Sequence, residues 1–308
     1  MRTGGKEMFR ILVSDGLQEN AINKLLELGF EVIDEHYDKE VLGEKLKDFE
    51  ALVVRSATKV TKDVLEKASG GKLKLIIRAG VGIDNIDIYT AHEKGITVKN
   101  TPNASSDSDA ELALAHMFAV ARFVGTSNYT MRNGEWNKKK YEGIELGGKT
   151  LGIIGMGRIG KALANKATAL GMNVVYNDVF GKQDDIKYEF LELNDLLKKS
   201  DFISLHVPYD KENGSLIRKE ELELMKDGAY IINCARGKVV DEKALLEALD
   251  SGKIAGAGID VFAVEPNTNE ALVNHPRVSC TPHIGASTME AQDRIGEEIV
   301  SVIQEFFS

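Results

Sequence analysis

Short β-rich apolar runs alternate with helical patterns along this chain, and that alternation limits its fold more than any other feature. It is the pattern of βαβ units, whose crossovers lay helices on the faces of parallel sheets. A first series comprises ILVS at 11–14, EVID at 31–34, ALVV at 51–54, KLII at 74–77 and ITVK at 96–99. Amphipathic helices are predicted at 19–28, where Ala21, Leu25 and Leu28 recur at helical spacing, and at 62–67. A longer helix is predicted from near Ala104, after the loop NTPNASSDSD, whose Ser and Asp residues suit an N-cap. It is almost continuously apolar over 110–124, which fits burial between layers. The polar stretch MRNGEWNKKKYEGIELGGK then reads as a linker or arm.

A second series opens at TLGII and continues through NVVYND (173–178), DFISLHV (201–207), AYIINCA (229–235) and AGAGIDV (255–261). VSCTPH at 278–283 adds a final strand, and a helix over 287–307 ends the chain. With 308 residues, two α/β domains are expected. The first seven residues read as a loose tail.

Composition narrows the function classes. No apolar run reaches the roughly 18 residues of a membrane span, and the polar N-terminus lacks a secretory signal, so a cytoplasmic protein is expected. A formal net charge of −9 argues against nucleic acid as a partner. It leaves room for a small anionic substrate, because a few placed cations outweigh a distant net charge. Cys234 and Cys280 match no metal spacing, so reduced thiols and no metal are expected.

TLGIIGMGRIGKALANKATALG holds Gly155, Gly157 and Gly160 as G-x-G-x-x-G. Alone the pattern is weak. Here it follows a strand, opens a helix, and is followed by Asp178 18 positions beyond Gly160, the context a dinucleotide site needs. Gly155 permits the tight turn, Gly157 lets backbone approach a pyrophosphate, and Gly160 lets the helix pack on the strand. The backbone N–H groups of Arg158 and Ile159 then face the phosphates at the positive end of the helix dipole. Asp178 would accept from ribose hydroxyls and repel an added phosphate. No Arg follows it at once, so NAD is favoured over NADP.

Three later segments carry residues suited to catalysis: INCARGKVVDEKAL around Arg236, GIDVFAVEP around Glu265 and CTPHIGAST around His283. Singly, these could be a surface cation, a solvated carboxylate and a helix-cap residue. Together they matter, because each lies just beyond a strand, where open α/β sheets place ligands.

In these segments and several others the chain resembles the D-isomer-specific 2-hydroxyacid dehydrogenases. The resemblance is carried by VVRSATKVT (53–61), IRAGVGIDNID (77–87), NTPN (100–103) and GKTLGIIGMGRIG (148–160). It continues in LHVP (205–208), NCARG (233–237), GIDVFAVEP (258–266) and TPHIGAST (281–288). It implies two doubly wound parallel-sheet domains, a Rossmann NAD-binding domain (102–286) inserted into a flavodoxin-like substrate-binding domain (1–101 plus 287–308), with the active site between them. It assigns catalysis to Arg236, Glu265 and His283. An imidazole can exchange a proton with the substrate oxygen near neutral pH, and Glu265 would orient it and favour its protonated form. Arg236 would grip the carboxylate with a bidentate fork. Hydride passes directly between substrate and nicotinamide.

The resemblance also implies cofactor contacts from Val81, His206, Val207, Pro208, Cys234, Ala235, Arg236, Asp260, His283, Gly285 and Ala286. Cys234 reads as a small hydrophobe rather than a nucleophile. For the substrate it implies Gly80, Val81 and Gly82, whose backbone N–H groups could cradle a carboxylate, together with Asn103, Arg236 and His283. Arg55, with Ser56 as a weaker donor, would take a distal phosphate; a surface cation at a strand end is the plainer reading of Arg55.

Within that family the chain is most similar to the phosphoglycerate dehydrogenases, implying oxidation of D-3-phosphoglycerate to 3-phosphohydroxypyruvate, toward serine. A glyoxylate or hydroxypyruvate reductase is the nearest rival. A non-catalytic NAD(H)-sensing binding protein is a further alternative, against which Arg236, Glu265 and His283 argue. The family and the arm suggest a homodimer, in which Lys138, Lys139 and Lys140 could act in trans and Trp136 could anchor the arm, although lysine runs are usually solvated. The chain ends after the helix reaching Ser308, with no serine-binding regulatory domain, so no serine feedback through one is expected. Asp107 and Asp109 in SSDSDAEL depart from the family pattern.

Overall fold

The computed structural model describes residues 8–308; the tail expected at the first seven lies outside them. The chain divides into two compact units, Met1–Ser105 with Ala286–Ser308, and Ser106–Gly285.

In the first unit, strands β1 (Arg10–Val13), β2 (Glu31–Asp34), β3 (Ala51–Val54), β4 (Leu75–Arg78) and β5 (Thr97–Asn100) alternate with helices. These are α1 (Glu19–Glu27), α2 (Lys39–Lys45), α3 (Lys62–Ala68) and α4 (Ile88–Glu93). All strand pairs are parallel and the order is β2-β1-β3-β4-β5, the flavodoxin-like arrangement. ALVV is buried at every position, as expected of a strand covered on both faces. One layer packs Leu12, Leu52 and Ile76 against α2 and α3. The other packs Ile11, Val53 and Ile77 against Leu25 of α1 and against Ile295, Ile299 and Ile303 near the C-terminus.

The second unit begins with α5 (Ser106–Ala121) and α6 (Val124–Arg132). Strands β6 (Thr150–Ile154), β7 (Asn173–Asn177), β8 (Glu189–Phe190), β9 (Phe202–Leu205), β10 (Ala229–Asn233), β11 (Ile254–Ile259) and β12 (Val278–Cys280) follow. Helices α7 (Arg158–Ala169), α8 (Leu193–Lys199), α9 (Lys219–Leu224), α10 (Glu242–Asp250) and α11 (Glu270–Val273) lie between them. The seven strands are parallel in the order β12-β11-β10-β9-β6-β7-β8, with the switch point of a Rossmann sheet between β6 and β9. The chain then returns to the first unit through α12 (Met289–Phe307).

The expected long helix over 104–124 is shorter at both ends. Phe123 sits in the left-handed region at φ 55°, which separates α5 from α6. The arm folds back here: Ile144 N–H donates to Ala121 O at 3.0 Å. Gly143 makes this approach possible, since a Cβ on it would lie 2.2 Å from that oxygen.

Glycines also explain how α5 lies on the sheet. A Cβ on Gly258 of β11 would fall 2.5 Å from the Cβ of His116, and one on Gly256 would fall 3.1 Å from that of Val120. The bare AGAG strand thus forms the floor on which α5 rests.

Candidate active site

At the end of β6 the chain turns through Gly155 at φ 93°, a conformation open to glycine but rarely to other residues. Space demands glycine as well, because a Cβ there would lie 2.4 Å from His206 O and 2.8 Å from Val207 Cγ1. Gly157 forms the N-cap of α7 and faces open space. Gly160 packs so closely that its Cβ would be 2.3 Å from Gly155 O. Lys161 N–H is bonded to Gly157 O at 2.9 Å, so the preceding N–H groups, those of Arg158 and Ile159 included, precede the helical ladder. No side chain caps this helix. Open space in front of uncapped N–H groups suits a pyrophosphate.

Asp178, just past β7, is tied into the same turn. Its Oδ2 accepts from Met156 N–H at 2.8 Å and its Oδ1 from Phe180 N–H at 3.0 Å. The carboxylate is thereby fixed in place, and its remaining lone pairs suit ribose hydroxyls.

At the other end of the sheet, the structure brings His283 and Glu265 together. Nδ1 of His283 is 2.8 Å from Oε2 of Glu265, while Oε1 of Glu265 accepts from Phe262 N–H at 3.1 Å. Each carboxylate oxygen is therefore used, and the glutamate is locked to its own loop. His283 has φ 55°, and its N–H donates to Asp260 O at 2.8 Å.

Arg236 follows β10 on a loop shaped by buried Asn233. The Asn233 side chain accepts from Ala235 N–H at 3.1 Å and donates to Arg236 O at 2.9 Å. Arg236 Nη1 donates to Ala235 O at 2.6 Å. The next residue, Gly237, presses on the Glu265 loop: a Cβ there would be 1.9 Å from the carbonyl of Phe262. Arg236 thus belongs to a loop packed directly on the one that carries Glu265.

Burial sets the ionisation of the neighbouring groups. His206, half-buried after β9 with its Nε2 2.9 Å from Ser204 Oγ, is desolvated, and its pKa falls to about 4. Burial likewise pushes the Cys234 thiol well above its ordinary value, and the Asp260 and Asp109 carboxylates add to this. A thiol so held is protonated at neutral pH and is no nucleophile. Asp260 is 1% exposed; its carboxylate accepts from Thr281 Oγ1 at 2.6 Å, Ile284 N–H at 2.9 Å and Gly285 N–H at 3.0 Å. Among the described residues, no group of three or more His, Cys, Asp or Glu could hold a metal ion, and no helix is long and apolar enough to cross a membrane.

Within the first unit, Gly80 has φ 141° and its Cβ would lie 1.5 Å from Arg78 Nη1, so the Gly80–Val81–Gly82 loop requires glycine at its start. Asn103 Nδ2 donates to Glu298 Oε1 at 3.1 Å, so its amide is engaged with α12. Sequence reasoning passed over Asp15 and Asn85, which hold the loop of Arg55 and Ser56. Asp15 Oδ2 accepts from Arg55 N–H at 2.7 Å and from Thr58 N–H at 3.1 Å. Asn85 Nδ2 donates to Arg55 O at 2.7 Å and Thr58 O at 2.8 Å. Nothing in the spacing of Asp15 or Asn85 relative to Arg55 signals this. In the second unit, Trp136 is 79% exposed and Lys138, Lys139 and Lys140 form an exposed 3-10 turn.

Known proteins resemble this chain along nearly its whole length. Residues 114–285 match the family model for the D-isomer specific 2-hydroxyacid dehydrogenase NAD binding domain. The chain is 47% identical to a hydroxypyruvate reductase of Thermotoga maritima over 96% of this chain and 97% of that one. It is 48% identical to a D-3-phosphoglycerate dehydrogenase of Methanocaldococcus jannaschii over 96% of this chain, but spans only 57% of that relative's length. The structure of D-lactate dehydrogenase from Aquifex aeolicus, complexed with NAD and lactic acid, superposes with a TM-score of 0.83. It is 34% identical, with 96% of this chain and 95% of that one covered. A glycine turn suited to a dinucleotide, two parallel sheets in flavodoxin-like and Rossmann order and these likenesses agree: the chain belongs to the D-isomer-specific 2-hydroxyacid dehydrogenases, NAD-dependent oxidoreductases.

Proposed function

We propose that this enzyme oxidises D-3-phosphoglycerate to 3-phosphohydroxypyruvate, with His283 as the acid/base. The observation that carries the catalytic part is the 2.8 Å contact between His283 Nδ1 and Glu265 Oε2. An ionised carboxylate only accepts, so Nδ1 carries a proton and Nε2 is the nitrogen that exchanges one with the substrate. In the oxidative direction the neutral ring takes the proton of the 2-hydroxyl through Nε2. In reverse, the imidazolium returns it to the carbonyl oxygen. When bound, NAD supplies the hydride acceptor. Arg236 holds the carboxylate and polarises the adjacent carbonyl. The Gly80–Val81–Gly82 backbone adds donors to the carboxylate, as does Asn103 through the amide hydrogen that Glu298 does not take, and Arg55, with Ser56, takes the distal phosphate.

What supports the phosphorylated substrate is the RSATKV loop, which presents Arg55 on a framework pinned by Asp15 and Asn85. The likeness to the Methanocaldococcus jannaschii phosphoglycerate dehydrogenase also favours it. A second reading, reduction of hydroxypyruvate or glyoxylate, is favoured by the Thermotoga maritima relative, which this chain matches along 97% of its length. Steady-state kinetics on phosphorylated and unphosphorylated three-carbon acids, followed by reduced-nicotinamide absorbance, separate the two. A kcat/KM at least roughly tenfold higher for the phosphorylated acid is expected, the worth of one charge-assisted contact. Equal values would favour the second reading.

A further inference from the structure

Behind the His283 loop lies a buried polar chain for which the proposed reaction has no direct use. His116, on α5, is 2% exposed, yet both ring nitrogens are engaged: Nδ1 is 2.9 Å from Ser279 Oγ and Nε2 is 3.0 Å from Thr281 Oγ1. Thr281 Oγ1 is in turn 2.6 Å from Asp260 Oδ1. Asp260 then grips the backbone on both sides of the His283 side chain. Its carbonyl accepts from His283 N–H, and its carboxylate accepts from the N–H groups of Ile284 and Gly285.

The protons in this chain have one consistent arrangement. An ionised carboxylate is acceptor only, so the Thr281 hydroxyl proton is committed to Asp260. Its oxygen must then receive the proton of His116 Nε2–H. A neutral imidazole carries one N–H, so Nδ1 is an acceptor and Ser279 donates to it. Desolvation lowers the His116 pKa, with the Asp260 charge opposing, and so favours the neutral ring that this polarity requires.

The loop needs such a clamp. His283 is a non-glycine residue at φ 55°, a conformation that persists only where the surroundings over-determine it. Packing alone would ask only that the space above Gly258 be filled, which an apolar side chain could do. Instead the position holds a group whose two nitrogens meet two hydroxyls. We propose that His116, acting through Thr281 and Asp260, is a positioning residue that holds the His283 loop in its left-handed turn and so sets the imidazole against Glu265.

The structural part stands without the proposed reaction; its effect on turnover rests on the acid/base role of His283. Three measurements on the purified full chain test it. Nitrogen-15 shifts of His116 in the wild-type protein near neutral pH should show the Nε2–H tautomer, and an Nδ1–H tautomer would overturn the proposal. Thr281→Val keeps shape but removes the hydroxyl, and should speed amide exchange at Ile284 and Gly285 by at least about tenfold; unchanged exchange would count against the clamp. The same variant should lose roughly 10- to 100-fold in kcat, with KM and NADH affinity within about twofold, and Thr281→Ser should recover most of it. A wild-type kcat in Thr281→Val, or equal losses in both variants, would sink the positioning role. Were His283 not the acid/base, His283→Asn would keep its turnover while the tautomer and exchange results still stood, so the two failures are distinguishable.

Discussion

Glu265 binds His283 with one carboxylate oxygen, at 2.8 Å from Nδ1, and its own loop with the other, at 3.1 Å from Phe262 N–H. The imidazole is therefore aimed by a group that is itself fixed. Two substitutions separate proton exchange from aiming. His283→Asn should reduce kcat by roughly 100-fold or more, the scale of general acid–base catalysis, with NADH affinity by fluorescence titration largely kept. Glu265→Gln preserves shape and an acceptor but removes the charge; a smaller loss, about tenfold or more in kcat, is expected. Wild-type turnover in His283→Asn, with chemistry shown to limit the rate, would remove the ring from this role.

Asp178 holds the glycine turn, its Oδ2 accepting from Met156 N–H, and in the proposed reading it also takes the ribose. Asp178→Asn keeps an acceptor for that N–H and loses only the charge that repels a ribose phosphate. The ratio of kcat/KM for NAD over NADP should fall by roughly 10- to 100-fold, mostly through better use of NADP, as expected when one like-charge contact is removed. Asp178→Ala should also weaken NAD, since the turn then loses its anchor. An unchanged cofactor ratio in Asp178→Asn would show that selectivity lies elsewhere.

Two desolvated histidines, His206 and His116, give stability a defined pH window. Desolvation places the His206 pKa at about 4 against an ordinary value of 6.5. Between those values the unfolded chain binds more protons than the folded one, so stability rises with pH and is lost as pH falls from 6.5 toward 4. His116, also lowered by burial, acts in the same direction. The His206 contribution is at most about 3 kcal/mol, reduced to the extent that water reaches the ring. Urea unfolding at a series of pH values should show this slope, and His206→Gln should flatten it. A variant as steep as the wild type would refute the assignment.

Much of the architecture was legible because β-rich runs bounded by polar residues mark strands: EVID and ALVV coincide with β2 and β3, the second buried at every position. Two strands, Leu75–Arg78 and Thr97–Asn100, start and end one residue later than the apolar runs, because backbone pairing with the neighbouring strand, and not side-chain polarity, sets their ends. The end of α5 was not legible, because the helix breaks at Phe123 where the arm returns through Gly143 onto Ala121 O, a contact 22 residues apart in sequence (143 − 121). In the candidate site, Gly155, Gly157, Gly160 and Asp178 form a local pattern that can be read from spacing together with the strand before it and the helix after it. The clamps on the loops that carry the candidate residues cannot: Asp15 lies 40 residues from Arg55, and His116 lies 165 from Thr281. Such pairs are set by which strand ends the sheet order brings side by side.

The Arg55 loop offers the sharpest separation of substrate classes. Asp15 is the hub of that loop, accepting from Arg55 N–H, Thr58 N–H and the Thr58 hydroxyl, the last at 2.6 Å. If Arg55 takes the distal phosphate, Arg55→Ala should raise KM for the phosphorylated acid by roughly 10-fold or more, while kcat/KM for the unphosphorylated acid stays within about twofold. Asp15→Ala leaves the guanidinium present but frees the backbone that carries it. It should therefore reproduce the same selective KM effect at smaller size, without touching turnover at saturation. Equal losses on both substrates would identify the loop as a fold element with no phosphate role, and would shift the balance toward hydroxypyruvate reduction.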